Sequence, residues 1–225
     1  MDTLDNVIWQ ALTTRQADLA ESYESARRFP PSVTTLGAFA EATQAGYDSL
    51  AGLVGNDPVA LFLDSPRTPP SGWTQVAALP LLQMVHDGSE SPNHAGGIVE
   101  LTQNDVPEML GLTQLTKPGP FGQRTRELGS YLGIRKNGVL VAMAGERLRV
   151  PGHTEVSAVC THPDHLGRGY AASLMRAVMQ RIRDRGERPF LHVRHDNERA
   201  IGLYRHLGFR DRALLHLSVV RRSRQ

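Results

Sequence analysis

Apolar residues recur along this chain with two periods, and the switches between them mark out the elements. Leu4, Val7, Ile8 and Leu12, then Ala17, Leu19, Ala20 and Tyr23, fall at helical intervals and predict one or two helices over residues 3–28, ended by Phe29-Pro30-Pro31. Phe39, Ala42, Leu50 and Leu53 predict a further helix over 35–53, with Gly46 as its weak point. After Asn56-Asp57-Pro58 the run VALFL is a compact strand, SPRTPPSG a loop, and Trp73 to His86 one or two strands broken at Pro80. Asp87 to Gly97 is rich in glycine and serine and reads as a junction, dividing an N-terminal α/β region (1–95) from a C-terminal domain (96–225).

Beyond the junction the alternation is clearer. Ile98 to Leu101 is a strand, and Thr102-Gln103-Asn104-Asp105 supplies the cap for a helix that starts at Val106-Pro107-Glu108 and runs to about Leu115. KPGPFG is a loop, and the segment holding Arg124, Arg126 and Glu127 is a short helix. Lys136-Asn137-Gly138 between the apolar runs 131–135 and 139–150 is a hairpin turn. Val156 to Cys160 forms a buried strand. Ala171, Leu174, Met175, Val178, Met179 and Ile182 then lie on one face of a helix that stops at Gly186. Phe190 to Val193 is the next strand, Asn197 to His206 the last helix, and a final pair of strands starts at Phe209. The class is α/β (α+β), a mixed central sheet flanked by helices.

The turn between the 156–160 strand and its helix carries Gly167, Arg168 and Gly169. Missing side chains there let a ligand approach the backbone, and the first N–H groups of a helix are free donors at its positive end, so a phosphate or pyrophosphate is the expected guest. The pattern is neither GxxxxGK[ST] nor GxGxxG. Taken alone, such glycines are equally turn residues.

Their context is more specific. HPDHLGRGYAASLM resembles the acyl-CoA-binding motif of the GNAT superfamily of N-acyltransferases, of FR47-like type, whose pattern [QR]-x-x-G-x-[GA] falls on Leu166, Gly167, Arg168, Gly169, Tyr170 and Ala171. Gly169 and Ala171 match, while Leu166 stands where the family has Gln or Arg. Val159-Cys160-Thr161-His162-Pro163 resembles the strand end beside the pantetheine arm. Residues 197–209, NERAIGLYRHLGF, resemble the family's N-x-x-A-x-x-L-Y-x-x-x-G-F signature. The resemblance covers about residues 96–220. It implies the order β-α-α-β-β-β-α-β-α-β-β, acetyl-CoA as cosubstrate, and cofactor contacts from Val159, Cys160, Thr161, Leu166 through Ala171, Asn197 and Tyr204. Residues 1–95 would then be an extension, or a degenerate second copy of the fold.

Composition bounds the remaining classes. With 225 residues and 40% hydrophobic content the chain can bury a sizeable core, and a net charge of +2 demands neither nucleic acid nor an anionic membrane. The terminal RRSRQ reads as a solvated tail. A single cysteine, Cys160, fits a reducing cytosol, and no run reaches the ~20 apolar residues of a membrane span. The expectation is a cytoplasmic monomer or homodimer.

Acyl transfer to an amine needs a neutral amine and a proton donor for the departing thiolate. A lysine-type amine is neutral in about one molecule in 10³ at pH 7, equivalent to roughly 4 to 5 kcal/mol of barrier. Glu155, thirteen residues before Arg168, resembles the general base of the family's histone-type branch; the alternative is a solvent-facing strand residue. Tyr204 corresponds to the family's general acid toward the thiolate, or else is a packed aromatic. Asn197 is a cofactor contact, a helix N-cap, or both. Cys160, in an apolar strand without an adjacent base, reads as a small buried residue. His153, His162, His165, His192 and His195 lack a CxxC or HExxH context, so no metal is expected. The leading expectation is an acetyl-CoA-dependent N-acetyltransferase acting on a small-molecule or peptide amine by direct attack in a ternary complex. The alternative is a non-catalytic acyl-CoA-binding regulatory module.

Overall fold

The computed structural model describes residues 2–89 and 97–223. Most of the expected junction therefore lies outside the described residues. The elements, in order, are α1 (Val7–Thr13), β1 (Glu21–Tyr23), β2 (Ala26–Arg28), β3 (Gly37–Phe39), α2 (Gln44–Ala51), β4 (Val59–Leu63), β5 (Trp73–His86), β6 (Ile98–Leu101), α3 (Val106–Thr116), β7 (Tyr131–Lys136), β8 (Val139–Val150), β9 (His153–Thr161), α4 (Tyr170–Asp184), β10 (Arg188–Arg194), α5 (Glu198–His206) and β11 (Phe209–Arg222). An eight-stranded sheet in the order β4-β11-β5-β10-β9-β8-β7-β6 forms the centre, and β1-β2-β3 make a small separate sheet.

The two regions divided at residue 95 thus share one sheet. β5 lies between β10 and β11 and pairs antiparallel with both, and β4 closes the far edge against β11. Where the sequence predicts a final pair of strands, the structure has the single strand β11, partnered by β5 from the N-terminal half. Pro80 does not break β5. Its carbonyl accepts from His195 N at 3.1 Å, so the edge lacking an N–H faces β10, whose ladder begins only at Leu81, and no bond to β11 is forfeited.

The predicted N-terminal helices are shorter than their periodicity indicates. Val7, Ile8, Ala11 and Leu12 bury one face of α1. Residues 21–28 instead form the hairpin β1–β2, whose pairing with β3 overrides weak helical spacing. The helix expected over 35–53 divides into β3 and α2, with Thr43 as N-cap accepting from Gly46 N at 3.2 Å. Gly46 is there for room: a Cβ would stand 2.4 Å from the Glu41 carbonyl oxygen and 3.2 Å from the Phe39 ring.

The hairpin β7–β8 turns at Asn137 (φ 51°) and Gly138 (φ 83°), both in the left-handed region that a two-residue hairpin loop requires. Thr102 and Asp105 form a capping box ahead of α3. α4 buries Leu174, Met175, Val178, Met179 and Ile182 against the sheet, each contributing about 1.5–3 kcal/mol. The opposite face is covered by α3, which packs on β8 and β9, and by α1, which packs on β8. Among the described residues no helix is long and apolar enough to cross a membrane.

Candidate functional site

β9 and β10 are parallel neighbours, yet they pair only from His153↔Arg188 to Glu155↔Phe190. β10 goes on along β5 through Arg194, whereas β9 stays with β8 and bulges between Ser157 and Cys160, where Ala158 adopts φ 52°. The strands therefore splay. Into the gap opens a cleft of about 1050 Å³ lined by β9 from Val156 to Thr161, by the turn from His165 to Ala172, and by Leu191 to Arg194, Asn197 and Tyr204.

The turn is built as the sequence predicts. Gly167 and Gly169 both have φ 75°, and a Cβ on either would meet nothing within 4 Å, so their backbone lies open to the cleft. Gly169 is the N-cap of α4 and gives no side-chain cap, which leaves the first-turn donors for a ligand. Arg168 is exposed beside them, its guanidinium 3.5 Å from the Asp164 carbonyl. Tyr170 stacks on His165 with centroids 6.4 Å apart, and Lys136 Nζ lies 5.6 Å from its ring centre. Leu166, 48% exposed, lines the cleft too. Bare amides, a helix N-terminus and adjacent cations fit a diphosphate, and the parted strand edge fits an extended amide-bearing arm.

Every cofactor residue expected from the sequence borders this cleft. Cys160 is buried, and burial pushes its thiol up to about 11. Asn197 caps α5, its Oδ1 accepting from Ala200 N at 3.2 Å, and lines the cleft as well. Tyr204 sits with its ring edge-on to Phe209 at 6.2 Å, and desolvation pushes its phenol up to about 12.

Glu155 is placed differently from the expectation. It is 1% exposed and does not line the cleft. Its Oε1 and Oε2 accept from Arg147 at 2.6 and 2.8 Å, Oε2 also from Leu148 N at 3.3 Å, and His192 Nδ1 lies 2.7 Å from Oε1. Burial favours the neutral acid, but Arg147 and His192 outweigh it and hold the carboxyl at about 2. Such a carboxylate is a poor proton acceptor, and it meets the cleft through Arg147 and His192, which line it.

What the cleft does meet are residues the sequence reading passed over or considered only as metal ligands. Arg147 and His192 line it, with Phe62 between them: the His192 ring is 4.8 Å and the Arg147 guanidinium 5.9 Å from the Phe62 ring. Gln83, fully buried, donates to the Leu4 carbonyl (3.1 Å), lies 3.0 Å from His192 Nε2, and its Oε1 accepts from Arg212 at 2.7 Å. With both amide hydrogens so directed, Nε2 of His192 is the acceptor and Nδ1–H donates to Glu155. One polar residue inside the apolar run LLQMVH was the available signal for Gln83. Among the described residues no cluster of His, Cys, Asp or Glu could hold a metal ion.

Comparison with known proteins places the chain in a family. The family described as FR47-like protein matches residues 131–217. An N-alpha-acetyltransferase RimI from Mycobacterium tuberculosis is 38% identical over 99 residues, a match spanning 41% of this chain and 61% of that protein. A GCN5-related N-acetyltransferase from Kribbella flavida shares the fold, with a TM-score of 0.64 at 18% identity over 96% of this chain and 95% of that one. A GNAT-family structure from Novosphingobium aromaticivorans is 39% identical over 100% of both chains, with a TM-score of 0.94. With that likeness from end to end, and with the glycine turn and splayed strands in place, the chain belongs to the GNAT family of acetyltransferases.

Proposed function

We propose that the protein transfers an acetyl group from acetyl-CoA to a primary amine by direct attack within a ternary complex. The observation that carries this reading is the meeting, in one cleft, of the glycine turn before α4, the free edge of β9 from Val159 to Thr161, and Tyr204. Acetyl-CoA supplies the activated thioester carbonyl. The backbone of Gly167 to Ala171 holds its diphosphate and the edge of β9 aligns its arm.

A carboxylate is not needed to deliver a neutral amine. Among the described residues the cleft is lined by no Asp or Glu, and apolar side chains such as Ala60, Phe62, Leu81 and Leu217 make up part of its wall. Desolvation disfavours an ammonium there, which lowers the amine's pKa and raises its neutral fraction. The nitrogen–carbon bond forms as the carbon–sulfur bond breaks. The Tyr204 phenol, protonated at neutral pH, gives its proton to the sulfur, and the proton shed by the amine restores it through water. Glu155 takes the role of anchor: its charge fixes Arg147 and the imidazole of His192 in the cleft wall.

A second reading, a non-catalytic holder of acyl-CoA, draws on the withdrawal of Glu155 from the cleft. Thiol release from acetyl-CoA in the presence of a panel of amines separates the two. Amine-dependent release with intersecting double-reciprocal plots supports transfer; saturable CoA binding with no turnover on any amine overturns it.

A further inference from the structure

The acceptor end of the cleft has a chemical character of its own. On the sheet face away from α4, strands of the N-terminal half and β11 bring Ala60, Phe62, Leu79, Leu81, Leu217 and Val219 to its wall. Register makes this a continuous surface. Phe62 and Leu79 are both paired with Leu217, from opposite sides, and Ala60 is paired with Val219, so these side chains share one face. Phe62 lies between the His192 ring and the Arg147 guanidinium. Arg147 is matched by buried Glu155, which leaves no anion exposed at this wall. No Asp or Glu of the described residues lines the cleft, whereas Lys117 and Arg147 do.

From this we infer that the acceptor is a small primary amine carried on an apolar aliphatic or aryl body, with no second positive charge. The inference rests on the acetyl-transfer reading for the identity of the reacting group, but its content is the apolar, acid-free wall. A ligand with a second ammonium would have to bury that charge against apolar side chains, with Glu155 already committed to Arg147 and His192, at a cost that apolar contact cannot offset. A ring or alkyl chain would cover Phe62 and Leu217 and remove their surface from water.

The test uses the full chain with acetyl-CoA and four amines: 2-phenylethylamine, hexylamine, spermidine and free lysine. Expected is a kcat/KM at least ~10-fold higher for the first pair, together with a KM for 2-phenylethylamine raised about 10-fold by Phe62→Ala and an unchanged affinity for CoA. Equal or better use of spermidine or lysine overturns the inference while leaving acetyl transfer intact. If no amine turns over, titration of the CoA-loaded protein with 2-phenylethylamine and with spermidine still decides: preferential binding of the former sustains the apolar wall and sinks only the reaction, and preferential binding of the latter sinks the wall as well. Leu217→Glu, which places a carboxylate on the same face, is expected to shift preference toward spermidine by ~10-fold or more; no shift in a folded variant counts against the assignment.

Discussion

Glu155 on β9 and Phe190 on β10 form the last rung of the ladder between the two parallel strands. One residue further on, the backbones have parted, and the facing edges carry N–H and C=O groups that a continuous sheet would have paired. Buried backbone polar groups seek partners, so the opening is a standing invitation to an extended, amide-bearing ligand. The rung itself is held by the Arg147–Glu155–His192 cluster, which sits where the cleft begins.

That placement predicts what replacing Glu155 does. Glu155→Gln leaves the Arg147 charge buried without its partner, so unfolding in urea should show a loss of about 3–5 kcal/mol. The double change Arg147→Met with Glu155→Leu should recover much of it. A Glu155→Gln protein as stable as the parent would refute the anchoring role.

The same pair sets a pH dependence. The carboxyl lies at about 2 in the folded protein against an ordinary 4.5, so its contribution is fully present above pH 4.5 and is lost as pH falls toward 2. The amount is about 3 kcal/mol. Thermal unfolding followed from pH 6 to pH 2.5 should therefore drop more steeply for the parent than for Glu155→Gln, and parallel curves would contradict the assignment.

Tyr204→Phe removes the phenol proton and keeps the ring against Phe209. Turnover should fall by ~10² or more, with CoA affinity unchanged. A thioester with a more acidic leaving thiol should narrow the gap, because such a thiolate departs without a donor. An undiminished rate with acetyl-CoA would remove Tyr204 from the mechanism.

Gly169→Ala introduces a Cβ at φ 75° where it meets no protein atom within 4 Å. Strain alone should cost about 1–2 kcal/mol of stability, and calorimetric titration with CoA should show binding weakened ~10-fold or more, since the new methyl stands among the donors. Binding unchanged in a folded variant would displace the diphosphate from this turn.

With its thiol pushed up to about 11, Cys160 is almost wholly protonated at neutral pH and unsuited to accept an acyl group. Cys160→Ala should retain turnover within a few-fold, and mass spectrometry of the parent mixed with acetyl-CoA should show no acylated protein. An adduct on Cys160 would instead indicate a two-step route.

Local chemistry carried much of this protein in plain text. Apolar spacing in α4, the Asn137-Gly138 turn, the Thr102–Asp105 cap and the glycines before α4 each act through neighbours a few residues away, so the chain alone determined them, together with the motif residues that border the cleft. The N-terminal half was less legible because its β1–β2 hairpin and the threading of β5 between β10 and β11 depend on partners far along the chain, and periodicity is blind to which distant strand will pair. Glu155 shows the same limit at the site: its position in sequence resembles that of a base, but only the folded packing shows it buried and paired with Arg147 and His192. Tertiary structure alone likewise turned Ala60, Phe62 and Leu217 into one wall, because side chains share a face through register, and register is a property of the pairing rather than of either strand.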